Sequence, residues 1–238
     1  MKRILLAGAT VLALTAAQPT LAADAPIYKG PAPYAVALFN WTGFYVGATV
    51  GYGWGDSKHC DANTCALPGV VYPAFTMTGW TAGGTIGYNN QIGNVVLGVE
   101  ADYSWANITG SSPSTLGFGC AGRCLTQIQG FGTVRARLGY AFDRFLPYIT
   151  GGVAFTQLNA SIGNPILANG SATTTRTNLT LGAGVEYAFT NNWSAKLEYL
   201  HVFDGGDFTY APTLCAAPGC FARGNSYDVV RAGLNWHF

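Results

Sequence analysis

In the run WTGFYVGATVGYGWG at 41–55, every even position from 44 to 54 is apolar or aromatic: Phe44, Val46, Ala48, Val50, Tyr52 and Trp54. The odd positions are mostly glycine. A period of two sends alternate side chains to opposite faces of an extended strand, whereas a helix needs a repeat near 3.6. Gly43, Gly47, Gly51 and Gly55 also fall at the four-residue spacing of a transmembrane helix contact. The density of glycine, β-branched and aromatic residues opposes a helix, and period two accounts for every position while period four accounts only for the glycines.

The alternation recurs, predicting eight strands near 41–54, 79–90, 93–106, 125–141, 145–158, 177–190, 192–204 and 225–238. Short links, NQIGN, FDRF and TNN, alternate with four long ones. The long links run to roughly 16–25 residues, far beyond the usual handful. Short turns alternating with long loops predict an all-β fold, an eight-stranded antiparallel transmembrane β-barrel of the outer-membrane type, with both termini on the periplasmic side. The terminal run VVRAGLNWHF keeps the alternation to Phe238, and is expected to pair with the first strand so that no edge faces lipid.

Composition agrees. Charged residues are 10% of the chain and Gly supplies 32 of 238, against about 25% and ~7% in ordinary soluble domains. The strand aromatics Tyr52, Trp54, Trp80, Tyr88, Tyr103, Trp105, Tyr140, Tyr187, Trp193, Tyr199, Trp236 and Phe238 fit two interfacial girdles around an apolar band about 25 Å tall. A net charge of +1 gives no reason to expect a nucleic-acid partner. At the front, MKR precedes the apolar run ILLAGATVLALTAA and the small residues of TLAAD, the pattern of a secretory signal over 1–22. Residues 23–40 are then a periplasmic lead-in and 41–238 the barrel.

Tyr28-Lys29 followed by prolines, WTGFYVGATVGYGWG, GVEADYSW at 98–105 and the terminal aromatic resemble the small alphaproteobacterial outer-membrane immunogenic or porin-family proteins with an OmpA-like barrel. The resemblance covers essentially the whole mature chain. It implies a surface barrel in the bacterial outer membrane, surrounded by lipid and lipopolysaccharide. Some members of the family are linked to envelope integrity, haem binding or host contact, and the family offers no catalytic residue to carry over. It also implies that Trp236 and Phe238 act as an assembly signal read by the outer-membrane insertion machinery.

Alternation points Glu100, Asp102, Glu186 and Glu198 inward together with Arg135, Arg137, Lys196 and Arg231, four charges of each sign. An eight-stranded barrel is just wide enough for side chains to fill, and buried charges persist when paired. The expectation is an ion-pair network plugging the lumen; a narrow polar channel is the alternative. The six cysteines fall into sequence-local pairs, Cys60 and Cys65, Cys120 and Cys124, Cys215 and Cys220, each within one expected external loop. Of 15 possible connectivities the local one closes most readily in an oxidising compartment. His59 is expected in a loop, His201 near the outer end of the seventh strand and His237 inward at the periplasmic rim. A metal site using His59, Cys60 and Cys65, or a haem or metal role for His59 or His201, is the alternative, but no His-rich ligand pattern accompanies them and lone histidines are common, so no metal or cofactor is expected. No nucleophile-elbow sequence is present, and no enzyme activity is expected. The first functional reading is therefore a structural surface barrel; the alternatives are a small-solute or ion pore, or an external binding protein for haem or a host molecule, to which Tyr72, Phe75, Phe118 and Tyr210 would contribute.

Overall fold

The computed structural model describes residues 39–61, 74–112, 123–163, 170–206, 208–210, 220–223 and 226–238. The expected signal segment and most of the lead-in, Cys65, Cys120, Cys215, Tyr72 and Phe118 lie outside the described residues. The described residues form ten strands: β1 (Gly43–Asp61), β2 (Ala74–Ile92), β3 (Val95–Ser112), β4 (Arg123–Tyr140), β5 (Phe145–Gly163), β6 (Gly170–Ala188), β7 (Trp193–Val202), β8 (Phe208–Tyr210), β9 (Cys220–Arg223) and β10 (Tyr227–His237).

Eight of these strands form the wall. β1 to β7 pair antiparallel in chain order, β10 follows β7, and β10 returns to β1 in register from Tyr45↔His237 to Gly55↔Tyr227. Closure gives the wall backbone groups partners within the sheet, the condition for crossing hydrocarbon with strands. β8 and β9 form a small hairpin in the last long connection, with β9 laid on the outer end of β1 from Lys58↔Arg223 to Asp61↔Cys220.

The outward face carries exposed Val46, Val50, Ile86, Val99, Val134, Leu138, Ile149, Leu181, Leu197 and Leu234. Exposed aromatics flank this band. Tyr52, Trp54, Trp80, Tyr103, Trp105 and Tyr199 stand toward the long loops, and Phe44, Tyr88, Tyr140, Tyr187, Trp193, Trp236 and Phe238 toward the short turns. A continuous apolar belt of this extent has no place in water, and rims of Trp and Tyr mark the two lipid boundaries.

The strands run further than the alternation predicts. β1 extends to Asp61 rather than 54, β3 to Ser112 rather than 106, and β6 begins at Gly170 rather than 177. Some 9–11 residues cross the membrane, so β1 to β6, with 18 or 19 residues each, project beyond it on the long-loop side. Apolar alternation stops at the lipid boundary while the hydrogen-bonded ladder does not. His59, Cys60 and Cys124 consequently sit in strand extensions, not in loops, while Cys220 opens β9 within the last long connection.

One irregularity changes which side chains face inward. The pairing slips between Ile128 and Gly130 of β4 against β5, and between Trp105 and Ile108 of β3 against β4. Along β4, residues 131, 133, 135 and 137 are buried at odd positions, but 124, 126 and 128 are buried at even ones. The extra residue of a β-bulge reverses the parity of a strand beyond it.

Candidate functional site

The inward face divides the lumen into three layers. The middle one holds all eight inward charges of the alternation, every one buried. Two acid–base pairs are direct cross-strand partners that touch, Glu100↔Arg135 on β3 and β4 and Glu198↔Arg231 on β7 and β10. Other contacts cross the lumen. Lys196 of β7 donates to Glu100 of β3 at 2.8 Å; Arg231 of β10 engages Asp102 of β3 through both terminal nitrogens at 2.9 and 3.0 Å. Arg135 of β4 donates to Glu198 of β7 at 3.0 Å, besides a 2.9 Å bond to Asp102 on adjacent β3, and Arg137 of β4 pairs with Glu186 of β6. Opposite walls are thus tied together by charge-assisted bonds, the strongest kind available to side chains.

Neutral groups complete the set, and the inward-charge reading did not include them. Tyr45 donates to Glu100 at 2.8 Å and Tyr148 to Glu198 at 3.1 Å, while Thr133 donates to Asp102 at 2.5 Å. The Arg137 guanidinium lies over the Tyr148 ring at 3.6 Å. Both tyrosines lie against a glycine of the next strand. A Cβ at Gly87 would meet the Tyr45 ring end at 2.4 Å, and one at Gly184 the Tyr148 hydroxyl at 2.7 Å. The signal was present in the sequence, since Tyr45 is the one large residue among the small odd positions from 43 to 55.

Below, toward the short turns, Glu186 also accepts from Ser194 at 2.5 Å and Asn235 at 2.7 Å, and Ser194 bonds His237 Nε2 at 2.8 Å. This juxtaposes a hydroxyl, an imidazole and a carboxylate without building a catalytic relay. Glu186 approaches the same ring nitrogen, Nε2, at 3.4 Å, so it does not orient the imidazole from its far side as a triad acid does. The mouth here is filled by Phe39 and Trp41, buried with Val96, Ala141, Leu146 and Ala188.

Above the charges, toward the long loops, the lumen turns apolar. Met77, Ile108, Ile128, Phe131, Leu158, Leu200, Val202, Tyr227 and Val229 pack together, with Phe75 against them. Phe75, expected at a loop surface, is partly buried against this interior cluster. His201 projects outward at the long-loop boundary, where its Nδ1 lies 2.7 Å from Asp228, which also accepts from Tyr199 at 2.5 Å. His237 faces inward at the short-turn rim. Among the described residues no cluster of three His, Cys, Asp or Glu is arranged to hold a metal ion, and no described cysteine is a free thiol. Trp236 faces outward and packs edge-on against Trp193 at 5.0 Å, and the Phe238 amide donates to the Phe44 carbonyl at 3.1 Å.

The family described as outer membrane protein beta-barrel domain matches residues 7–238. The chain belongs to the outer-membrane β-barrel family. Among relatives of this barrel, the 31 kDa outer-membrane immunogenic protein of Brucella melitensis biotype 1 is 36% identical over 249 residues, covering 100% of both chains. The 22 kDa outer membrane protein of Rhizobium leguminosarum bv. viciae is 30% identical over 202 residues, covering 84% of this chain and 79% of its own. Among solved structures, Neisserial surface protein A aligns at TM-score 0.44 and 16% identity over 83% of this barrel and 98% of its own chain. OprG of Pseudomonas aeruginosa aligns at TM-score 0.49 and 12% identity over 84% and 98%. The protein is an outer-membrane β-barrel with outer-membrane immunogenic relatives.

Proposed function

We propose that the protein is a sealed, structural barrel of the outer membrane, without catalytic activity, that contributes to envelope integrity and presents long loops outside. The observation that carries this reading is the middle layer, in which Lys196, Arg231, Arg135 and Arg137 each reach an acid on another strand across the lumen. A conducting path would have to break several of these contacts at once, and a buried pair broken on one side costs about 3–5 kcal/mol. The short turns face the periplasm and the long connections face outward in this reading, as in barrels of this type. Lipid and lipopolysaccharide then surround the belt, and the outer-membrane assembly machinery receives the Trp236–Phe238 end.

A second role, as an external binding protein, is favoured by the strand extensions and by the β8–β9 hairpin set on β1. They offer a rigid platform for the loops, of the kind on which recognition surfaces are built. Cystine pairs Cys60–Cys65, Cys120–Cys124 and Cys215–Cys220 would stiffen it.

Planar-bilayer recording of the purified protein tests the primary reading. A sealed barrel gives a flat baseline under applied voltage; reproducible single-channel steps would replace the sealed reading with the pore.

A further inference from the structure

The residues just before β1 do more than lead into it. Trp41 is fully buried and Phe39 nearly so, in a T-shaped pair 4.8 Å apart, and Trp41 stands edge-on to His237 at 5.6 Å. The segment is held at two of the short turns. The Phe39 amide donates to the Asp143 carboxylate at 2.7 Å, the Trp41 indole to the Asp143 carbonyl at 2.9 Å, and the Trp41 amide to Gln91 Oε1 at 2.8 Å. Arg144, next to Asp143, lies over the Phe39 ring at 5.4 Å.

Asp143 has a φ of 54°, the one described non-glycine residue in the left-handed region. That conformation is unfavourable for a side chain with a Cβ and persists where surrounding contacts over-determine it. Here it turns both the carbonyl and the carboxylate of one residue toward the same crossing segment. Directly behind the segment lie His237, Ser194 and Asn235, gathered under Glu186 at the lower edge of the charge layer.

We propose that residues 39–42 are a strap that closes the short-turn mouth, with Asp143 as its catch, and that the strap opens and closes without unfolding the wall. The difference in anchoring supports this. The wall strands are held by long ladders on both sides, whereas the strap hangs on four hydrogen bonds, the three above and one from the Gln91 amide to Thr42 Oγ1 at 3.0 Å, and on two buried rings. Segments held so lightly open locally at a small fraction of the global free energy. Opening exposes His237 to the solution on that side, at the Glu186 edge of the charge layer, whose ion pairs stay in place.

The test is diethylpyrocarbonate labelling of the full protein folded in detergent, located by peptide mass spectrometry, with outward-facing His201 as the internal reference. Two variants are compared with the wild type. Trp41→Ala removes the larger ring; Asp143→Gly removes the carboxylate while keeping a residue suited to positive φ. Retained heat-modifiable mobility shows that the wall has formed in each. The strap predicts His237 protected relative to His201 in the wild type, and labelled about tenfold faster in Asp143→Gly once a charge-assisted bond is lost, with a larger rise in Trp41→Ala. Wild-type His237 labelled as fast as His201, or rates unchanged in both folded variants, would overturn it. Labelling reads the mouth alone, so its outcome is separable from the conductance measurement on the charge layer.

Discussion

Arg135 is the residue on which the interior depends most, because it touches Glu100, Asp102 and Glu198 at once. Truncating it leaves three buried carboxylates to share Arg231 and Lys196. Arg135→Ala should destabilise the barrel by about 3–5 kcal/mol, read from denaturant unfolding in detergent. Lys58→Ala, at an exposed position of β1, should change it by less than about 0.5 kcal/mol. Similar small losses in both would mean that the charge layer is hydrated. The glycine contacts make a second residue-scale prediction. Gly87→Ala must push the Tyr45 ring off the wall and away from Glu100, at a cost of about 1–3 kcal/mol. In a Tyr45→Ala background the same change should cost almost nothing, and a double-mutant cycle measures the coupling.

Among the elements, the middle of each strand was legible and the ends were not. Between the short turns and the outer girdle, alternation is unbroken, so the inward positions of Glu100, Arg135, Glu198 and Arg231 follow from counting by twos. Beyond the girdle the residues of β6 read Ser171, Ala172, Thr173, Thr174, Thr175 and Arg176, polar on both faces, and no periodicity marks a strand that is polar all round. The bulge near Gln129 hid the facing of Cys124, Thr126 and Ile128, because one extra residue leaves no compositional mark. The inward apolar cluster was missed for a different reason: a membrane barrel is expected to be polar inside, and Leu200 and Val229 read equally well as wall residues of either face. Cys124 lies buried in the β4 extension. A disulfide closing only a few residues adds little to stability, so replacing all six cysteines by Ser should leave heat-modifiable folding intact while added protease cuts the long connections faster. Loss of folding in that variant would mean that Cys124 supports the wall itself.

For the whole molecule, the three layers act in series: an aromatic strap, a compensated charge layer and an apolar cluster. The last strand carries a further expectation, taken from how barrels of this family are assembled. Phe238 is largely exposed beside the seam, with its amide bonded to β1. Deleting it removes one seam hydrogen bond and one girdle ring, a modest loss for a finished barrel. If Trp236 and Phe238 serve as an assembly signal, the deletion should nonetheless sharply lower the amount reaching the outer membrane in cells, while refolding in detergent stays near normal. Equal membrane levels of wild type and deletion would remove that role.

The seam between β1 and β10 joins residues roughly 170–190 positions apart in the chain. Every other pairing in the wall forms between successive wall strands, so it is comparatively local and forms early. The closing pair has to bear the loop entropy of nearly the entire chain before it gains a single bond. Until then two long apolar strands present open edges, the form of a nascent chain most prone to join its neighbours instead of itself. The time the protein spends unclosed should therefore govern its yield more than its final stability does, and refolding at rising protein concentration should lose product to aggregation well before any change in the unfolding midpoint appears.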